Sequence, residues 1–238
     1  MKKFFVGICC ALTFGAHAQT TFTRSYPVQP GQQLNFKFDY PVVKISTWDK
    51  NEISVIARVN INDDEYDSNF ELQEQSTDGA IVISDHIKDL DKLPHRYTIV
   101  NNNKKTVYKT KQEYLDAQKS GGIEKSFEGT DIDIVLEIKV PVQCTTAIKA
   151  TYGIVEITNF NAPITVDDTY AGIDATINTA HTGKLKATTH YGKIYSNLDM
   201  KLTDHSQHDF FSSITAEPGT GPAYIFTSDY GKIYLRKP

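Results

Sequence analysis

Tyr152-Gly153-Ile154-Val155-Glu156-Ile157, Tyr170-Ala171-Gly172-Ile173-Asp174-Ala175, Tyr191-Gly192-Lys193-Ile194-Tyr195-Ser196 and Tyr230-Gly231-Lys232-Ile233-Tyr234-Leu235 are four versions of one hexapeptide. Their tyrosines lie 18, 21 and 39 residues apart, and the last gap is a double step. A degenerate copy, Phe211-Ser212-Ser213-Ile214-Thr215-Ala216, falls where the missing one is expected. The C-terminal region is therefore an internal repeat with a period of about 20 residues. Each copy reads aromatic, small, x, aliphatic, x, aliphatic-or-small, and alternation of period two is the signature of a strand. One face carries Gly153/Val155/Ile157, Ala171/Ile173/Ala175, Gly192/Ile194/Ser196, Ser212/Ile214/Ala216 and Gly231/Ile233/Leu235. Weaker half-repeats lie between the copies: Ala162/Ile164/Val166, Gly183/Leu185/Ala187, Leu198/Met200/Leu202 and Gly221/Ala223/Ile225. No copy is long enough to bury its own apolar face, whereas stacked copies bury a continuous one. The expected architecture is all-β: a β-solenoid of about 20-residue rungs, each adding about 4.8 Å along the axis. Small residues at the first inward site suit a tight corner, where a large side chain would crowd the interior.

The opposite parity faces outward and carries Tyr152, Tyr170, Tyr191, Phe211 and Tyr230. Copies three and five add Tyr195 and Tyr234, with Lys193 and Lys232 among them. One reading is a ladder that seals each rung and fixes its register, since cross-strand aromatic pairs contribute roughly 0.2–1 kcal/mol each. The other is a binding stripe, because exposed tyrosine offers rigid amphipathic area. Tyr191, Tyr195, Tyr230, Tyr234, Lys193 and Lys232 are the candidate binding residues. Stacking in chain order would make them a patch three rungs tall, with roughly 10 Å between its outer rungs.

The start of the chain has a different character. Lys2 and Lys3, the apolar run Phe4–Phe14 and Ala16-His17-Ala18 have the form of a secretory signal peptide over residues 1–18. The run is too short for a membrane anchor. Cys9 and Cys10 lie too early for lipid attachment, so no membrane insertion is expected after cleavage. Without residues 1–18, 23 basic residues stand against 29 acidic ones, a net charge of −6. That balance argues against nucleic acid as a partner. Cys144 alone remains, which excludes an intramolecular disulfide and suits a small core residue.

Residues 20–60 already alternate as strands, and Tyr40-Pro41-Val42-Val43-Lys44-Ile45 matches the repeat order with Pro41 in the small-residue place. Trp48-Asp49-Lys50-Asn51 reads as a turn. Residues 62–69 form an acidic loop; calcium favours such oxygen clusters, yet the Asp-x-Asp-x-Asp-Gly pattern is missing. Asp78-Gly79 reads as a hairpin turn before Ala80–Ser84. Residues 86–130 break the pattern and read as an insertion. It holds strands Tyr97–Val100 and Thr106–Tyr108 around an Asn101–Lys105 tip. A short helix follows, opened by the capping box Thr110-Lys111-Gln112-Glu113 and stopped by Gly121-Gly122. Strict alternation returns over Asp131–Val140. Residues 19–238 thus form one domain, with regular repeats over 144–238.

Motifs for catalysis are missing: no G-x-S-x-G, H-E-x-x-H, C-x-x-C or phosphate-binding glycine loop occurs. Asp204-His205-Ser206-Gln207-His208-Asp209 offers zinc-type ligands, but on a connector between rungs it reads as a solvated loop. His181 and His190 lie in the neighbouring repeat. Glu156, Asp167, Asp168 and Asp174 are the carboxylates a glycosidase would need.

Three stretches carry a resemblance: Asp39–Asp49 (DYPVVKISTWD), Leu136–Pro141 (LEIKVP) and the Tyr-Gly-x-Ile units. On these the chain resembles the toastrack-type putative adhesin family of exported bacterial β-solenoid proteins, whose function is unknown. The resemblance spans nearly all of residues 19–238 and implies a fold rather than catalytic residues. The expectation is a non-enzymatic interaction module without cofactor or metal, exported to the periplasm or the cell surface. Its expected partner is a cell-surface glycan or an envelope protein. The alternative is a carbohydrate-active enzyme on a β-helix scaffold.

Overall fold

The structure, a computed structural model, describes residues 20–77, 79–119, 121 and 123–238. The expected signal peptide, Asp78 of the expected hairpin turn and Gly122 of the expected helix stop lie outside the described residues. The strands before the insertion are β1 (Thr20–Pro27), β2 (Gln33–Phe38), β3 (Val42–Trp48), β4 (Glu52–Ile61), β5 (Phe70–Ser76) and β6 (Ala80–Ile87). The insertion holds β7 (Arg96–Asn101), β8 (Lys104–Tyr108), helix α1 (Lys111–Lys119) and β9 (Lys125–Gly129). Then follow β10 (Ile132–Pro141), β11 (Thr146–Ala150), β12 (Val155–Ile157), β13 (Ile164–Asp168), β14 (Gly172–Thr176) and β15 (Lys184–Thr189). The last are β16 (Ile194–Ser196), β17 (Leu202–His208), β18 (Phe211–Ala216), β19 (Ala223–Ser228) and β20 (Lys232–Arg236).

The fold is all-β. A first sheet runs β1-β4-β10-β3-β12-β14-β20-β16, and a second runs β17-β18-β15-β19-β13-β11-β2-β6-β5. From β10 to β16 the first sheet is parallel throughout. The second is parallel from β15 to β6. Antiparallel strands extend both, so the sheets are mixed and open at their ends. From β10 to β16 the chain alternates between the sheets, because each short apolar strand must be covered by the facing one.

The stacking order departs from chain order. Along the stack the strand pairs run β2/β3, β11/β12, β13/β14, β19/β20, β15/β16. The C-terminal pair is thus inserted between two pairs made earlier. The Phe211 copy is not a rung of the first sheet: β18 pairs antiparallel with β15 and β17 in the second. The Asp209-Phe210 turn closes β17 and β18 locally. Such a hairpin needs only a tight turn, whereas a parallel strand needs a crossover. The stretch 204–209, expected as a solvated connector, is accordingly the body of β17 and its turn.

Val43, Val155, Ile173, Ile233 and Ile194 lie side by side in register across the first sheet. The first four are fully buried, and Ile194, on the edge strand, is half-buried. Ile214, expected in this column, lies in the second sheet, paired with Ala187 and His205. The inward parity of β19 also differs from expectation. Tyr224 and Phe226 are buried, not Ala223 and Ile225, and the Tyr224 hydroxyl donates to the Phe160 carbonyl at 2.5 Å. Gly221, at φ 146°, and Pro222 lead into this strand and set its phase. At the corners, small residues are required by backbone contact. A Cβ on Gly153 would stand 1.7 Å from the Pro41 carbonyl oxygen, and one on Gly192 1.7 Å from that of Gly231.

The insertion forms a third sheet, β8-β7-β9, with α1 beside it. The capping box is formed: Glu113 N donates to Thr110 Oγ1 at 3.2 Å, and Thr110 N to the Glu113 carboxylate at 3.0 Å. Tyr114 stacks on Tyr97 at 5.4 Å and binds the helix to the sheet. Strand β9 was not foreseen, because Lys125–Gly129 has no apolar alternation. The acidic 62–69 loop anchors this insertion. Glu65 pairs with the buried Arg96 at 2.7 Å, and Asn62 Nδ2 donates to the Pro94 carbonyl at 2.8 Å. Buried Asp67 accepts from Ile61 N at 2.7 Å.

Candidate functional site: the tyrosine rows and the open end of the stack

The repeat places its first aromatic at the corner leaving the second sheet, so parallel stacking brings these rings together. The row runs Tyr40, Tyr152, Tyr170, Tyr230, Tyr191, with successive centroids 5.5, 5.3, 5.3 and 4.9 Å apart. From Tyr152 to Tyr191 the planes are within 12° of parallel. Phe210 continues the row, tilted 40° against Tyr191 at 5.6 Å. The ring expected there, Phe211, instead packs against His190 and His208 at 5.7 and 5.0 Å.

Stacking decides what such rings can bind. Tyr152, Tyr170, Tyr191 and Tyr230 are 52–59% exposed, yet the faces of the inner rings are covered by their neighbours. What they present to solvent is hydroxyls and ring edges. A ligand that stacks on an aromatic face needs a ring at the end of a row. A second, shorter row supplies one. Tyr195 stacks on Tyr234 at 5.2 Å, and the Arg236 guanidinium lies 4.9 Å over Tyr234 on its way to a two-pronged pair with Asp174 at 2.7 and 2.8 Å. Tyr195 belongs to the edge strand β16, and among the described residues no second ring packs against it.

Tyr195 opens onto a cleft of about 510 Å³ at the end of the stack. The first sheet contributes Tyr191, Lys193, Ile194 and Tyr195; the hairpin contributes His205, Gln207, His208, Asp209, Phe210 and Phe211. Leu198 and Met200, on the segment crossing between the sheets, pack on the core and form the apolar floor. The cleft thus joins apolar surface to imidazole, amide, carboxylate and ammonium groups, the mixture of a ligand site. Of the six candidate residues, Tyr191, Lys193 and Tyr195 line it; Tyr230, Lys232 and Tyr234 stand on the adjacent strand behind them. Copies three and five are direct neighbours, so the patch is two strands wide and not three. Phe210 and Met200 were missed as site residues, and His205 and His208, weighed as zinc-type ligands, were set aside as a solvated loop. The Phe210-Phe211 doublet carried a signal, since only one of two adjacent rings can point into a strand's core face.

Of the other residues singled out, His190 also lines the cleft. Glu156 pairs with Lys44 at 3.3 Å, and Asp174 with Arg236. Asp167 is exposed on the second sheet, whereas Asp168 is buried at a corner, where desolvation pushes its carboxyl up to about 7. Glu156 and Asp174 stand directly opposite each other on β12 and β14, each engaged with a basic side chain, whereas Asp167 and Asp168 lie on the second sheet. His190 Nδ1 lies 2.9 Å from Asp229, and His181 sits in a turn on the other side of β15. Cys144 is buried, and burial pushes its thiol pKa up. Among the described residues no three His, Cys, Asp or Glu side chains are grouped to hold a metal, and no helix is long and apolar enough to cross a membrane.

No protein-family model matches the chain, and no curated protein matches it in sequence. Among solved structures it is similar to a putative cell adhesion protein from Clostridium sporogenes, at a TM-score of 0.50 and 9% identity. That match covers 93% of this chain and 100% of the other. A putative adhesin from Bacteroides fragilis matches at 10% identity over 92% of this chain and 98% of the other, with a TM-score of 0.24. At 9% identity the first likeness is one of fold alone.

Proposed function

We propose that the protein is an exported, non-enzymatic interaction module of the toastrack adhesin type. Its parallel core works as a short β-solenoid, a rigid support for a binding cleft at one end. The cleft takes a group from a cell-surface glycan or an envelope protein, in the periplasm or outside the cell. The observation that carries this reading is Tyr195. No second ring covers its outward face among the described residues, Tyr234, itself overlaid by Arg236, supports its other face, and hydrogen-bonding side chains line the cleft around it. Such a platform suits a sugar ring or a flat side chain. The test is the double substitution Tyr195→Ser with Tyr234→Ser. It should leave the melting temperature within a few degrees, since each side chain is partly exposed, and abolish retention on cell-wall glycans or on intact envelopes. A folded double variant that is retained like the parent protein would overturn the reading.

A further inference from the structure

We propose that the open end accepts an extended peptide segment as one more parallel strand on β16, with an acidic, an aliphatic and an aromatic residue in succession. This rests on the cleft being the binding site and names the chemistry of its partner.

The two sheets end unevenly. Past β15 the second sheet continues with β18 and β17, while the first stops at β16. The hairpin therefore faces a position where the first sheet has no strand, and the cleft fills that position. The edge of β16 also has main-chain groups to offer. Lys193 O accepts from Ile233 N at 3.0 Å, and Asn197 N donates to Leu235 O at 3.2 Å. Residues of odd number on β16 are thus turned to β20. Alternation along a parallel strand turns the N–H and C=O groups of Ile194 and Ser196 the other way, to the open edge. The three-residue length of β16 is no obstacle, because β12 also pairs over three residues.

Each side-chain column stops one member short. Beside Ile194 a further aliphatic residue would complete the row that leaves Ile194 half-buried. An aromatic residue beside Tyr195 would cover its open face and extend the Tyr234–Tyr195 stack. Lys193 and Lys232 stand on neighbouring strands, exposed, and neither has an ion pair among the described residues. A carboxylate next to Lys193 would supply one; the chain uses the same device where Glu156 meets Lys44 across β12 and β3. This charge argument disfavours a second copy docking by β1, the far edge of the first sheet. Strand β1 runs in the right sense, but it carries Arg24 and no acid.

The probe is a synthetic peptide of residues 228–236 carrying Lys232→Glu, titrated by calorimetry into the full chain. The unsubstituted 228–236 peptide, and the Lys232→Glu peptide N-methylated at Tyr234, are its controls. In the proposed register the Tyr234 N–H of the peptide faces the Ile194 carbonyl, so methylation removes a ladder bond and keeps every side chain. The glutamate peptide should bind about ten times more tightly than the lysine peptide. Lys193→Glu in the protein should reverse that order, and N-methylation should abolish binding. Equal affinities, or binding indifferent to N-methylation, would overturn strand addition, as would no binding at millimolar peptide. If the protein ignores all three peptides but loses envelope retention on Tyr195→Ser with Tyr234→Ser, the strand is refuted and the cleft stands.

Discussion

Two residues before each of Tyr170, Tyr191 and Tyr230 the chain places a short polar side chain, and these meet inside the corner. Asp168, Ser228 and Thr189 are aligned across β13, β19 and β15, and all three are buried. Ser228 and Thr189 hold their turns by accepting from Gly231 N at 3.0 Å and from Gly192 N at 3.1 Å. Asp168 does the same work less comfortably. Desolvation pushes its carboxyl up to about 7, against the lowering effect of the Gly172 and Ala171 N–H groups and the Ser228 hydroxyl. A raised carboxyl is favoured in its protonated form by the fold. Stability from this group is therefore fully present below the unfolded-state value and falls as pH rises from about 4 to about 7. Asp168→Asn should flatten that fall, leaving the variant at least as stable as the parent near pH 8; thermal melts at about pH 5 and about pH 8 read the difference. A variant with an unchanged slope would place the titration elsewhere. At the neighbouring corner Gly192→Ala should cost at least about 2 kcal/mol in denaturant unfolding, because the added Cβ would stand 1.7 Å from the Gly231 carbonyl oxygen, which is backbone, and 2.6 Å from the Thr189 hydroxyl that holds the turn. The tyrosines of these corners were legible from their period alone. The polar column was equally periodic, but Asp, Thr and Ser two residues before an aromatic look like any turn.

Among the elements, β20 and β16 show what alternation does and does not disclose. Ile233 and Ile194 occupy the same place in the repeat, and the sequence offers no reason to rank them. The structure does: Ile233 is fully buried between β14 and β16, whereas Ile194 has only one neighbouring strand. Ile233→Asp should therefore abolish folding of the C-terminal rungs, since it buries a carboxylate without a partner. Ile194→Asp should cost clearly less, because its side chain can turn to the cleft. Circular dichroism and melting temperature of the two variants separate them, and equal damage would contradict the edge position of β16. The same limit explains β19. Period two defines two faces without saying which is inward, and there the larger rings of Tyr224 and Phe226 took the core. Helix α1 was readable because a capping box is a local signal. Strand β9 was not, because its pairing to β7 is tertiary.

At the level of the whole molecule, the insertion of the last strand pair between earlier ones has a mechanical consequence. A stack in chain order loses only its final rung when the C-terminus is removed. Here β15 is paired with β19 and β18, and β16 with β20; neither is paired with β13 or β14. The segment 184–216, which contains most of the cleft, is paired to the rest of both sheets through β19 and β20, with no other strand of the described residues bridging it to them. Removing residues 217–238 should therefore release the whole of 184–216 and leave the part before residue 177 folded, with β13 and β14 as new edges. Hydrogen exchange followed by mass spectrometry checks this directly. Peptides from 184–216 should exchange like an unfolded chain in the truncated protein, while those from β3, β10 and β11 keep their protection. Protection retained across 184–196 would mean that this pair stacks directly on β13/β14, and the inserted order would be wrong.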